Sequence, residues 1–71
     1  MNLSQYEMAD LAHEGASLTL DVSDFGEYEM RAIAEAIQDG CTLELHGCDS
    51  KGLNELKAIA QSAPGKVKFV F

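Results

Sequence analysis

The side chains best suited to chemistry lie in one short segment of the chain, from His46 to Asp49. An imidazole, a thiolate and a carboxylate can each bind zinc, so His46, Cys48 and Asp49 are candidate metal ligands. The His-x-Cys-Asp spacing matches no dedicated metal motif, however, and no fourth ligand is obvious. Cys41 is expected to point into the core. We therefore predict neither a metal nor any other cofactor.

The same segment contains a possible nucleophile, Cys48, with His46 as its base. A helix beginning after Asp49 would favour the thiolate, as helix N-termini do. Yet residues two apart in one strand or turn rarely bring their side chains into hydrogen-bond contact, and no third orienting group is evident. We therefore predict a protein that is not an enzyme. His13 has a simpler explanation, because an imidazole in the last turn of a helix is favoured by the helix dipole.

A central strand is predicted to position these residues, within the stretch Cys41–Asp49. Leu43 and Leu45 alternate with polar residues, which is typical of a strand buried on one face only. Ser17–Val22 alternates in the same way and predicts a first strand. Lys66–Phe71 predicts a third, with Val67, Phe69 and Phe71 on one face.

Three helices are predicted around these strands. Ser4 and Glu7 form a capping box, so the first helix should run from about Ser4 to Glu14 and bury Leu3, Met8, Leu11 and Ala12. Asp24 and Glu27 resemble a second cap, before apolar residues at helical spacing that continue to Gly40. A third helix should open near Ser50 and end at Pro64 and Gly65.

The pattern repeats, because Gly15, Gly40 and Gly65 end the three helices at intervals of 25 residues. We predict one small domain, residues 1–71, of three helix-strand units at about 1–22, 23–47 and 48–71. Strands separated by a helix are normally parallel. Alternating strands need cover on one face only. The expected fold is thus α/β with the order αβαβαβ, a two-layer sandwich of a three-stranded parallel sheet with its helices on one face.

This fold leaves one sheet face open, and we predict that it binds a protein. The helix-facing residues are Leu18, Leu20, Leu43, Leu45, Val67 and Phe69. The predicted protein-binding face comprises Thr19, Asp21, Thr42, Glu44, His46, Lys66 and Lys68. Ligands gather beyond the carboxyl ends of parallel strands. A possible ligand edge therefore comprises Ser23, Asp24, Cys48 and Asp49.

Residues 43–60 resemble a cysteine-containing leucine-rich repeat. The resemblance rests on Leu43-Glu44-Leu45, Gly47-Cys48, and then Leu53, Leu56, Ile59 and Ala60. It implies a parallel sheet with one uncovered polar face. In the first unit Ser23 takes the place of Cys48.

Leu20-Asp21-Val22-Ser23 is similar to a strand end of the STAS regulatory domain. Asp24 to Glu27 stand where that family has its phosphorylatable serine. The resemblance therefore implies no phosphorylation site in this chain.

Charge is distributed unevenly over the 71 residues, whose net charge is −7. Residues 1–50 carry eleven acidic groups against Arg31 alone, whereas residues 51–71 carry four lysines against Glu55. Four scattered lysines are a poor basic surface, so direct nucleic-acid and membrane binding are not expected. The segregation would favour head-to-tail self-association, in which sheet edges could take part. An acidic decoy for a basic, nucleic-acid-binding partner is an alternative.

We expect a cytoplasmic location. The chain has no basic region followed by an apolar stretch at its start, and no apolar run approaching 18 residues. Cys41 and Cys48 would lie roughly 20 Å apart along an extended strand, too far for a disulfide. The leading prediction is a non-catalytic protein-interaction module. Its rival is a small regulatory or ligand-binding domain that acts at His46 and Cys48.

Overall fold

The computed structural model describes residues 3–71, and it confirms the predicted order of helices and strands. The elements are α1 (Gln5–His13), β1 (Leu18–Asp21), α2 (Glu27–Ala36), β2 (Leu43–His46), α3 (Leu53–Ser62) and β3 (Val67–Val70). Short 3-10 turns, Val22–Asp24 and Cys48–Ser50, follow β1 and β2. Each strand is four residues long, shorter than the sequence pattern predicts.

The three strands form one parallel sheet in the order β1-β2-β3. The register aligns Leu18, Leu43 and Val67 in one row and Thr19, Glu44 and Lys68 in the next. α2 packs against both α1 and α3, so the helices follow the same sequence as the strands they connect. The α/β class and the two-layer arrangement are as predicted.

The core lies between the helices and one face of the sheet. Leu43 and Leu45 of β2 are fully buried and belong to the same cluster as Met30, Ile33 and Ile59 of the helices. Burying a large aliphatic side chain stabilises a fold by about 1.5–3 kcal/mol. Alternation along β2 therefore determines which face the helices cover.

The helix starts agree with the prediction at α1 and differ from it at α2 and α3. The Ser4 hydroxyl accepts a hydrogen bond from the Glu7 backbone N–H, and the Glu7 carboxylate accepts one from Ser4 N–H, which completes the capping box. α2 begins after Gly26, whose N–H donates to the Glu29 carboxylate at 2.8 Å. Asp24 is not its cap, because it lies in the 3-10 turn after β1.

α3 begins after Gly52 rather than near Ser50, for the same reason. Ser50 lies in the 3-10 turn Cys48–Ser50, where its hydroxyl donates to the carbonyl of Gly47. Both helices begin later than predicted because a 3-10 turn, which the sequence pattern did not indicate, precedes each of them.

The predicted glycine period has a conformational basis. Gly15, Gly40 and Gly65 have φ angles of +93°, +84° and +77°, in the left-handed region that side chains other than that of glycine rarely adopt. Each reverses the chain after a helix and directs it into the next strand.

Leu11, which was predicted to be buried, is exposed, and so is Phe71, which was predicted to share a strand face with Val67 and Phe69. Leu11 is 42% exposed and Phe71 is 75% exposed. Leu11 lies on a flank of α1 that no neighbouring helix covers, and Phe71 follows the last residue of β3. Both residues mark outer ends of the three-unit stack.

Candidate interaction surface

The open face of the sheet presents a polar row that crosses all three strands. Thr19, Glu44 and Lys68 are register partners, and Thr19 and Lys68 are exposed. Their side chains lie opposite the buried leucines because successive side chains in a strand point to opposite faces. The row combines a hydroxyl, a carboxylate and an ammonium group, so it can hydrogen-bond and pair with charges of either sign.

Glu44 is the centre of this row. Its Oε1 lies 3.6 Å from Lys68 Nζ, and its Oε2 lies 2.6 Å from His46 Nε2. The hydrogen bond with His46, aided by the charge of Lys68, lowers the pKa of Glu44 from its ordinary value. The carboxylate is thus held ionised and oriented by two neighbours on the same face.

Asp21 provides a second fixed carboxylate, at the end of β1. Its Oδ1 accepts hydrogen bonds from the Ser23 hydroxyl at 2.7 Å and from the Ser23 N–H at 2.9 Å, and these bonds lower the pKa of Asp21. A Cβ placed on Gly47 would lie 3.4 Å from the same oxygen. Asp21 is thus fixed at the carboxyl end of the sheet, next to the turn that follows β2.

The predicted ligand edge is only partly accessible. Ser23, Asp24 and Asp49 are exposed in the two 3-10 turns. Cys48 is fully buried, and its thiol donates to the carbonyl of Leu45 at 3.1 Å. It belongs to the core and not to the edge, because the 3-10 turn folds it back under β2.

Cys41 is half-buried and packs against the core cluster. Its thiol donates to the carbonyl of Gly15 at 3.0 Å, in the preceding unit. Both thiols therefore donate to a backbone carbonyl, but Cys48 is fully buried and Cys41 is only half-buried.

Lys66 also departs from the predicted face. Its ammonium group lies 2.9 Å from Asp39 Oδ1 and donates to the carbonyl of Ile37 at 3.2 Å. These contacts tie Lys66 to the turn after α2, so Lys68 is the freer of the two basic groups. Thr42 is exposed at the same end of the sheet, where its N–H donates to the Ser17 hydroxyl.

Within residues 3–71, no three His, Cys, Asp or Glu side chains are grouped so that they could hold a metal ion. None of the helices in that range is both long enough and apolar enough to cross a membrane.

Two features of the surface escaped the sequence analysis. One is the contact between His46 and Glu44, which the shared face of alternate residues could have indicated. The other is a cleft along the outer edge of β1, lined by the apolar Leu3, Met8, Leu20 and Phe25 and by the acidic Asp21 and Asp24. The apolar residues Leu3 and Met8, at the start of α1, were the available signal for it.

Comparisons of the chain with protein-family models, with curated proteins and with solved structures found no match. The function is therefore inferred from the geometry of the surface.

Proposed function

We propose that this protein is a non-catalytic protein-interaction module that binds through the open polar face and the outer edges of its parallel sheet. The observation that carries the proposal is the row Thr19–Glu44–Lys68, which lies in register on a face that no helix covers. A partner docked there would meet donors and acceptors held on regular strands rather than on loops.

The electrostatics of the face support a polar partner surface. Glu44 is already paired with His46 and Lys68, so a partner would meet an ordered network. Complementary charges contribute specificity and association rate more than raw affinity. The partner surface is expected to place a donor near Thr19 and an acidic group near Lys68.

The rival site at the carboxyl edge receives less support from the contacts. Cys48 is buried, whereas His46 lies on the open face and is bound to Glu44. A reaction that paired their side chains would first require the turn after β2 to open.

The proposal is tested with a face variant that combines Thr19→Ala and Lys68→Ala, both at exposed positions. A matched control combines Glu35→Ala and Gln61→Ala, which are exposed on the helix layer. A protein captured from native lysate should be retained by the wild type and the control and lost with the face variant. Purified, it should bind the face variant about tenfold more weakly in calorimetric titration, because truncating a central contact commonly costs more than 1 kcal/mol.

Equal affinity of a purified partner for the wild type and the face variant would remove the open face from the proposal. Equal weakening by the face variant and the control would indicate a general loss of folded protein instead. Circular dichroism of both variants distinguishes that outcome.

A further inference from the structure

The two ends of the stack of units differ in charge. The outer flank of α1 carries Glu7, Asp10 and Glu14 beside the exposed Leu11, and we call this flank the acidic end. The last unit carries four of the five basic residues, and exposed Lys57 and Leu53 lie on α3. We call the flank formed by Leu53 and Lys57, together with β3, the basic end.

Helix geometry places these residues on flanks that face away from α2. On α3, Ala58, Ser62 and Glu55 are half-buried on one flank, whereas Leu53 and Lys57 are exposed on the other. Because α2 is the helix that packs against α3, we take the half-buried flank as the one toward α2. Leu53 and Lys57 lie two positions from Glu55, which turns them about 200° around the helix. They therefore point outward, past the last unit.

α1 also has one half-buried flank and one exposed flank, at the opposite end of the stack. Gln5 and Ala9 are half-buried, one helical turn apart, on the side toward α2. Glu7 and Leu11, each two positions further along, lie on the opposite flank. The same number of residues separates α1 from β1 and α3 from β3, so in a continued sheet the helices lie at the same level as the strands that follow them. A second copy placed beyond α3 would thus bring Glu7 to Lys57 and Leu3 to Leu53.

The strand edges match in the same direction. Within residues 3–71, the sheet ends at β1 on one side and at β3 on the other, which leaves a row of free backbone groups on each. In this sheet Leu18 N–H donates to Thr42 C=O, and Leu43 N–H donates to Lys66 C=O. The next bond in that series joins Val67 N–H to Ser17 C=O of a second copy.

Charge favours this pairing over the other edge pairings. In the continued register, Lys68 would lie opposite Thr19 of the next copy and diagonal to its Asp21. Two β1 edges would bring acidic groups together, and two β3 edges would bring lysines together, which disfavours both.

We propose that the occupant of the basic end is the acidic end of a second copy of this chain, so that β1 of one copy continues the sheet beyond β3 of another. The inference rests on the proposed interaction function and names a partner for the sheet edges. The contact is heterologous, so it leaves a free end on each side and generates an open chain of copies rather than a closed dimer.

The experiment is sedimentation equilibrium of the full chain over a wide range of concentration, with two variants that reverse charge at opposite ends. Lys57→Glu reverses the charge on the outer flank of α3, and Glu7→Lys reverses the charge of the α1 carboxylate expected to face it. Glu35→Lys, at an exposed position of the middle helix, changes the net charge as Glu7→Lys does and serves as its control.

The average mass of the wild type and of Glu35→Lys is expected to rise with concentration. Lys57→Glu and Glu7→Lys alone should each associate about fivefold more weakly, because each opposes like charges at the contact. An equimolar mixture of the two should regain association, since the reversed charge at the basic end of one variant then meets the reversed charge at the acidic end of the other. Loss of the Glu7 cap alone would not produce that recovery.

A wild type that stays monomeric at every concentration would overturn the inference, and so would a mixture that associates no better than its components. Either result leaves the proposed function standing if the face variant still loses its partner. Conversely, restored association in the mixture supports the inference even where the face variant retains every partner.

Discussion

The two faces of the sheet are built from alternate residues of the same three strands, yet they differ in almost every physical respect. On the covered face, Leu43 and Leu45 are fully buried, in a cluster that includes residues of all three helices. On the open face, Glu44 and His46 are half-buried and contact each other, and Glu44 also contacts Lys68. One face is held by apolar burial and the other by hydrogen bonds and charge.

The comparison teaches that stability and recognition can be separated residue by residue. A change on the covered face should unfold the domain, whereas a change on the open face should leave the fold intact and alter what binds. This separation makes a chain of 71 residues tolerant of surface change, although domains of this size have little stability to lose.

The largest expected effect comes from Leu45→Ala. Truncating a fully buried leucine should lower the free energy of unfolding by about 2–5 kcal/mol, because the side chain leaves a cavity that its neighbours fill only in part. Thr19→Ala, on the open face of the adjacent strand, should change it by less than about 0.5 kcal/mol. Urea denaturation followed by circular dichroism measures both, and similar losses in the two variants would contradict the separation.

A smaller effect is expected from a matched pair of cysteines. Both thiols donate to a backbone carbonyl, but Cys48 is fully buried and Cys41 only half-buried. Cys48→Ser should therefore cost about 1–3 kcal/mol for placing a hydroxyl in the core. Cys41→Ser should cost less than about 0.5 kcal/mol.

Chemical labelling of the native thiols provides an independent reading of the same pair. Cys41 should react first, and Cys48 only after unfolding. Equal reaction rates in the folded protein would place Cys48 outside the core.

The smallest effect concerns the charge of Asp21. Ser23→Ala removes the hydroxyl donor, so the pKa of Asp21 should rise toward that of an ordinary aspartate. Carboxyl-carbon NMR titration measures this change. Ser50→Ala, which removes a hydroxyl from the equivalent turn after β2 without touching a carboxylate, should leave the Asp21 titration unaltered.

The sign of the accompanying pH dependence follows from linkage. The folded pKa of Asp21 lies below its unfolded value, so its contribution to stability is present above the unfolded pKa and is lost as pH falls through the folded one. Ser23→Ala should reduce the difference between the folded and unfolded pKa of Asp21, and with it the loss of stability at low pH. An unchanged difference would mean that another donor, rather than the Ser23 hydroxyl, lowers the pKa of Asp21.

Much of the fold could be predicted from the sequence because its signals are local. Alternation in Leu43-Glu44-Leu45 predicted the covered face, and Gly15 and Gly65 lie close to the ends of α1 and α3 as predicted. The second helix, predicted to continue to Gly40, ends at Ala36. Alternation also places Glu44, Lys66 and Lys68 on the open face, and the parallel register pairs Glu44 with Lys68.

The remaining features depend on three-dimensional contacts that have no local signature. Ser50 and Asp24 resemble helix caps, but the 3-10 turns after β1 and β2 displace the helix starts to Gly52 and Gly26. The same turns bury Cys48, which removed it from the predicted edge. Lys66 was misplaced because its long side chain reaches Asp39 in the turn after α2.

The sequential strand order also bears on how the chain reaches its fold. β2 pairs with both β1 and β3, and α2 packs on both α1 and α3, so these pairings join neighbours along the chain. Contacts between neighbouring units close short loops and cost little chain entropy, which favours rapid folding for a parallel sheet. The middle unit, α2 with β2, is thus the one on which the first and last units can both assemble, in either order.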